Sequence, residues 1–261
     1  MADLGYLSQK IGSAIDKILC ENFDKRSRMM PAGKYVSLCF DDFPQSAART
    51  AAPLIEKRDW RATWYVSGAF EDKVTPEYGR MFAPADLHSL HKDGHDFGCH
   101  TFDHIDCKEA SADFIAAQAR RSKAFLAARG IHELRSFAFP FGSVDLPTKR
   151  LMGHAGPALR GVNPGLNRGM IDLNMLKACG LQDSEGGTRR AMQELQTLQA
   201  QDGWLIIFTH DVRERPSPWG VRPVVYDRLL SAIEQSGAEV ITVGDMIDRL
   251  ESSNTSTRKA A

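Results

Sequence analysis

The sequence has no excess of charge of either sign: 33 Lys and Arg stand against 33 Asp and Glu, so the formal net charge is zero. A balanced chain without a long basic run gives no electrostatic reason to expect a nucleic-acid or other polyanion partner. No apolar run approaches the ~18 residues that a membrane span needs. No signal-type h-region occurs near the N-terminus either. Instead Leu4, Leu7, Ile11, Ile15 and Ile18 recur three and four residues apart, between Asp3, Lys10, Asp16 and Lys17. That period predicts an amphipathic helix packed on a domain, and the expected compartment is the cytoplasm. Cysteine is scarce and odd in number: Cys20, Cys39, Cys99, Cys107 and Cys179. A scattered set with no CxxC pair argues against a disulfide framework or a zinc ribbon and reads as free thiols. Internal repeats and Pro/Gly/Ser-rich linkers are absent too. The expected organisation is a helical lead-in over 1–33, one main domain over 34–250 and a flexible tail over 251–261.

What is present is a globular composition, 43% hydrophobic and 25% charged over 261 residues, enough for a substantial core. Short apolar runs alternate with helical patterns. Strands are predicted at Tyr35–Phe40, Ala62–Val66, Asp96–Cys99, Ser136–Phe139, Trp204–Thr209 and Glu239–Val243, with extended segments around Leu159–Val162 and Asp172–Cys179. Helices are predicted between them, among them Ala47–Lys57, Pro84–Lys92, Glu109–Arg129, Thr188–Gln201 and Val224–Ser236. Repeated β-then-α units imply a parallel sheet. At this length the expected fold class is α/β, an irregular (β/α) barrel.

Reactive residues follow four of the predicted strands: Asp41 and Asp42; His100, Asp103 and His104; Pro140-Phe141-Gly142; and His210 with Asp211. Strand C-termini of a parallel barrel share one face, where active sites are built. Two adjacent carboxylates after a buried strand repel each other, and a bound cation relieves that repulsion. The four-residue spacing of His100 and His104 places both imidazoles on one side of a helical turn. With Asp42 they make a two-His, one-carboxylate set, suited to catalytic zinc or to non-haem iron. An iron oxygenase has no use for a further carboxylate and imidazole, whereas a hydrolase needs a base and an acid. Asp41 and His210 therefore tip the reading to hydrolysis.

These motifs resemble those of the polysaccharide deacetylases of NodB-homology type. Leu38-Cys39-Phe40-Asp41-Asp42 is similar to the first family motif, and Gly94 to His104 to the second with its His-Ser/Thr-x-x-His core. Phe137 to Gly142 is similar to the third, and Ile206 to Asp211 to the last. The resemblance covers Lys34 to Leu250 and implies an irregular barrel of about seven strands. It implies Asp41 as catalytic base, Asp42, His100 and His104 as ligands of one divalent ion (zinc first, then Co, Ni, Mn or Fe), and His210 as general acid. Pro140, Phe141 and Gly142 would line the substrate groove. Three departures stand out. Phe43 replaces the usual Gly and is expected to form a groove wall. Ala138 stands where the family carries an Arg that steadies the base, with Arg160, Arg168 and Lys177 as candidates to replace it. The Asp that orients His210 is assigned to Asp172, with Asp183 behind it. Trp219, in the turn-rich Pro216–Gly220 loop, is expected to stack on a sugar ring. The implied substrate is an N-acetylated oligosaccharide or polysaccharide. The rival readings are an amidase acting on a non-carbohydrate amide or cyclic imide, and a non-catalytic sugar-binding relative.

Overall fold

The computed structural model describes residues 4–154 and 156–259, with side chains over 12, 14–154 and 156–252. Among the described residues twelve strands occur in chain order: β1 Ser27–Met29, β2 Lys34–Asp41, β3 Thr63–Val66, β4 Val74–Thr75, β5 Gly79–Arg80, β6 Asp96–Cys99, β7 Ser136–Ala138, β8 Ala158–Arg160, β9 Met170–Asp172, β10 Cys179–Gly180, β11 Gly203–Thr209 and β12 Glu239–Val240. Eight α-helices accompany them: α1 Leu4–Asn22, α2 Ala52–Glu56, α3 Pro84–Lys92, α4 Ala112–Ala127, α5 Leu146–His154, α6 Glu185–Ala200, α7 Pro223–Ser236 and α8 Val243–Lys259.

Seven strands form one curled parallel sheet in the order β10-β11-β2-β3-β6-β7-β8. β12 takes the edge of β2 at Tyr35 and Val36, below the point where β3 pairs with Cys39 to Asp41. The gap between β8 and β10 is filled by irregular chain: Leu176 bridges Arg160 in parallel sense, its N–H donates to the Leu159 carbonyl, and its own carbonyl accepts from Gly161. This is the expected irregular barrel of about seven strands.

The alternation of strand side chains decides what faces the barrel interior. On β2, Val36, Leu38 and Phe40 pack outward with Ile55, Leu229 and Leu230 of the helix layer. Tyr35 and Cys39 pack inward with Tyr65, Ala138, Ala158, Trp204 and Ile206. Burial on both faces explains why these strands read as nearly continuous apolar runs. The interior carries one satisfied polar relay, in which Trp204 Nε1 donates to Ser37 Oγ at 2.8 Å and Ser37 donates to the Ile241 carbonyl at 2.6 Å. Gly98 is required on β6, since a Cβ there would lie 2.4 Å from the Tyr65 ring.

The chain ends depart from expectation. Ile15 and Ile18 on α1 are 50% and 59% exposed rather than packed on the domain; the side chains of Leu4, Leu7 and Ile11 lie outside the described residues. α1 is instead fastened at its C-terminal end, where Lys149 Nζ donates to the Cys20 and Phe23 carbonyls at 2.6 and 2.7 Å. The last helix, α8, continues through Lys259, so the segment expected as a tail is helical up to that residue; 260–261 lie outside the described residues. All five cysteines are buried and free. Among the described residues no helix is long and apolar enough to cross a membrane.

Candidate active site

The strand alternation delivers the reactive side chains to one place. Asp41 follows Tyr35, Ser37 and Cys39 on the interior side of β2. His100 continues the phase of Asp96 and Gly98, and His210 that of Trp204, Ile206 and Phe208. Asp42 would point away if the strand continued. Its left-handed backbone, φ 55°, ends the alternation, and both carboxylates line the same cavity. Thr101 and His104 are likewise left-handed, at φ 58° and 51°. Non-glycine residues in this region are costly, and here they cluster at the site. The two histidines therefore converge through a tight irregular loop, not through the helical turn that their spacing predicted.

Asp42, His100 and His104 each offer one ligand atom, all within 4.8 Å of one another. His104 Nε2 lies 3.3 Å and His100 Nε2 3.8 Å from the Asp42 carboxylate. His100 Nδ1 is 2.8 Å from the Ala138 carbonyl. A carbonyl only accepts, so Nδ1 carries the proton and the Nε2 lone pair faces inward. Burial pushes His100 down to about 3 and His104 to about 4, so both rings are neutral at ordinary pH. Burial, reinforced by the neighbouring Asp41, pushes the Asp42 carboxyl well up. The Ser67 hydroxyl stands between the Asp42 carboxylate (3.3 Å) and the His100 carbonyl (2.9 Å). Two neutral imidazole nitrogens and a carboxylate crowded by a second one form a donor set that fits a divalent cation.

Asp41 has its own partner. Arg160 Nη2 donates to both carboxylate oxygens, at 2.7 and 2.6 Å, and its side chain is fully buried. The guanidinium lies 4.7 Å from the ring centroids of both Tyr65 and Phe208. Burial alone would raise the Asp41 pKa; the adjacent Arg160 overrides it and holds the group below its ordinary value. Of the three residues considered as substitutes for the missing arginine, Arg160 is the one that reaches the base. In the β7–β8 register it pairs directly with Ala138. The guanidinium therefore comes from the neighbouring strand at the height of the small, buried Ala138. Arg168 instead bonds Gln201, and Lys177 lines a separate cavity of about 310 Å³.

His210 lies parallel to Tyr78, ring centroids 5.7 Å apart and planes 7° apart. Burial lowers its pKa, against the opposing charge of Asp41. Its buried Nδ1 has no hydrogen-bond partner among the described residues, so none of their carboxylates orients it through that nitrogen. Asp172 is not that group. On β9 it accepts from the backbone N–H of Arg26 and Asn174, both at 2.9 Å, and from Lys149 Nζ at 2.6 Å. It therefore clips the N-terminal segment to the barrel. Asp183 pairs with Arg222.

The cavity over these groups measures about 940 Å³. Phe141, Gly142 and Trp219, the last 47% exposed, line it. Two expectations fail. Phe43 is fully buried against Trp64 and Phe82, with centroids at 5.0 and 4.6 Å, because the left-handed Asp42 turns the chain beneath the sheet. Pro140 is buried and starts the short turn that presents Phe141 without itself lining the cavity. The sequence reading missed Phe70, Tyr78 and Phe208. Phe70 and Phe141 flank His104 at 5.5 and 4.5 Å, while Tyr78 and Phe208 flank His210. Only the strand phase of Phe208 was available as a signal.

Known proteins give the same picture. The family described as Polysaccharide deacetylase matches residues 29–158. No curated protein matches the chain. Among solved structures, the chitin deacetylase of the fungal pathogen Colletotrichum lindemuthianum superposes with a TM-score of 0.58 at 20% identity, covering 84% of this chain and 89% of that one. A family 4 acetyl xylan esterase from Clostridium thermocellum, solved with a cobalt ion, gives 0.57 at 20% identity over 82% and 91%. A CE4 family pseudoenzyme from Bacillus anthracis gives 0.57 at 14% over 84% and 67%. At these identities the likeness carries the fold. The family match spans Asp41, Asp42, His100, His104 and the Pro140–Gly142 turn, and through it the chain belongs to the polysaccharide deacetylase family.

Proposed function

We propose that the chain is a metal-dependent hydrolase that removes N-acetyl groups from an amino-sugar oligosaccharide or polysaccharide. The observation that carries the reading is the pairing of two neighbouring carboxylates with different partners. Asp41 is held as an anion by Arg160, while Asp42 belongs to a buried ligand set with His100 and His104. A binding module has no need of that division.

Asp42, His100 and His104 would hold the cation, which when bound supplies Lewis acidity for activating a water and polarising the acetyl carbonyl. The chain's own groups do the rest. Asp41, ionised beside the ligand set, takes a proton from the attacking water. Arg160 keeps that carboxylate charged in an apolar barrel and fixes both its oxygens. His210, facing the same cavity, gives a proton to the departing amine; burial lowers its pKa, and the nearby Asp41 charge opposes that shift. The exposed Phe141 and Trp219 at the rim offer flat apolar faces on which a sugar ring can stack.

The test is acetate release from N-acetylglucosamine oligomers by chelator-stripped protein, with and without added zinc or cobalt. Release restored by metal is expected. Asp41→Asn should bind zinc as the parent does while losing roughly 10²–10⁴-fold in turnover. Full activity of that variant would remove Asp41 from the reaction. Turnover of cyclic imides but no acetylated sugar would transfer the reading to an amidase.

A further inference from the structure

The cavity wall beside His210 is assembled from two distant segments, the β4–β5 hairpin with Tyr78 and the loop over 211–221 with Trp219. The hairpin has two residues in each strand, Val74–Thr75 against Gly79–Arg80, too few to hold its own shape. Its base is tied by Met81 N–H to the Lys73 carbonyl and Asp72 N–H to the Phe82 carbonyl, both 2.9 Å. Its tip is tied by Arg213. Nη1 donates to the Tyr78 carbonyl at 3.0 Å and Nη2 to the Glu77 carbonyl at 2.7 Å.

The other side of the same guanidinium meets Asp211, with Nε 2.7 Å from Oδ2. Asp211 is fully buried, directly follows His210, and accepts from Ser217 N–H at 2.9 Å and from the Ser217 hydroxyl at 2.5 Å. Ser217 Oγ in turn accepts from the Trp219 N–H at 3.2 Å. One cation thus joins the residue after the proposed acid, the loop that presents Trp219 and the two peptide groups that carry Tyr78. A planar fork that bonds two carbonyls while its charge faces a buried carboxylate is a task that a lysine cannot copy.

We propose that Arg213 is a positioning residue that fixes Tyr78 and Trp219 as the wall receiving the leaving-group ring, a role that rests on the deacetylase reading. Arg213 itself touches no reacting atom. Without it, the tip carrying Tyr78 keeps its local bond to Thr75 Oγ1 but loses its tie to the 211–221 loop, and the wall loosens, while the Asp41–Arg160 pair and the ligand set stay in place. The penalty then falls on substrates whose leaving group reaches the wall.

Arg213→Met and Arg213→Lys are compared with the parent, zinc added, on a tetramer of N-acetylglucosamine and on methyl acetate, whose leaving group is too short to touch Tyr78. For Arg213→Met the expected result is a loss of about 100-fold in kcat/KM on the tetramer, with methyl acetate changed by less than about twofold. Arg213→Lys should recover only part of the loss. Equal losses on both substrates, or none on the tetramer, would overturn the role. Hydrogen exchange over residues 73–81 decides the positional claim independently of turnover. Exchange there should quicken at least about tenfold in Arg213→Met, and unchanged exchange would refute the clamp. If the parent releases no acetate from either substrate while that exchange does quicken, the deacetylase reading fails and the clamp stands.

Discussion

Replacing Arg160 by methionine probes the site where it is most deeply buried. The Arg160 and Asp41 side chains are 0% and 5% exposed, with both carboxylate oxygens held by one nitrogen at 2.7 and 2.6 Å. Methionine keeps apolar volume between Tyr65 and Phe208 and deletes the charge. Burial then acts on Asp41 unopposed, and a fully buried carboxyl rises by roughly 3–5 pKa units. At 1.36 kcal/mol per unit, keeping it ionised would cost about 4–7 kcal/mol. The group takes up a proton instead, and a broken buried pair of this kind destabilises by about 3–5 kcal/mol. Urea titration of chelator-treated protein at pH 7 should show that loss as a lower midpoint at unchanged slope. Acetate release should vanish with it, since a carboxylic acid cannot accept the water's proton. Adding Asp41→Asn to Arg160→Met removes both charges and should return about 2–3 kcal/mol of the lost stability. A single variant as stable as the parent, or a double variant no more stable than the single, would show that Arg160 does not hold the base.

The other predictions follow from the same geometry. Asp42→Asn removes a buried carboxyl whose ionisation is opposed by burial and by Asp41. The metal-free protein should gain stability by scanning calorimetry, while the rise in Tm on adding zinc should disappear. Asp96 supplies a pH test away from the site: burial pushes its carboxyl up to about 6, against hydrogen bonds from Thr63 and the Gly244 N–H. Between about pH 4 and 6 the folded state keeps a proton that the unfolded state has lost. Stability should therefore fall as pH rises through that window, by up to about 3 kcal/mol. The Asp96→Asn variant should be flatter in urea titrations across it. Phe43→Ala should cost about 3–5 kcal/mol through the cavity left between Trp64 and Phe82. Its KM for the oligomer should be unchanged, whereas Trp219→Ala should raise KM with little effect on stability.

The parts of the site legible in the sequence are those set by local rules. Asp41, His100 and His210 each follow a run whose alternation fixes its facing, so their convergence needs only a parallel sheet. Phe43 was misplaced because its direction depends on the left-handed turn at Asp42, and an Asp-Asp-Phe string does not announce that conformation. Asp172 was misassigned because a carboxylate at the end of an extended segment looks the same whether or not that segment belongs to the barrel. β9 pairs only with β1, in an antiparallel clip outside the sheet. Tyr78 gave no signal, since its hairpin has two-residue strands and its tip is held by one side chain, Arg213, more than a hundred residues away.

Arg160 is the more instructive case. Read along the chain, Ala138 is a lost arginine and suggests a weakened base. Read across the sheet, Ala138 and Arg160 are register partners on neighbouring parallel strands. Arg160 supplies the guanidinium that bonds Asp41, and its register partner supplies a small side chain beside it. A second arginine at 138 would bring a second buried cation to a carboxylate whose two oxygens are already bonded. The departure in sequence and the retained ion pair are one structural fact seen along two directions.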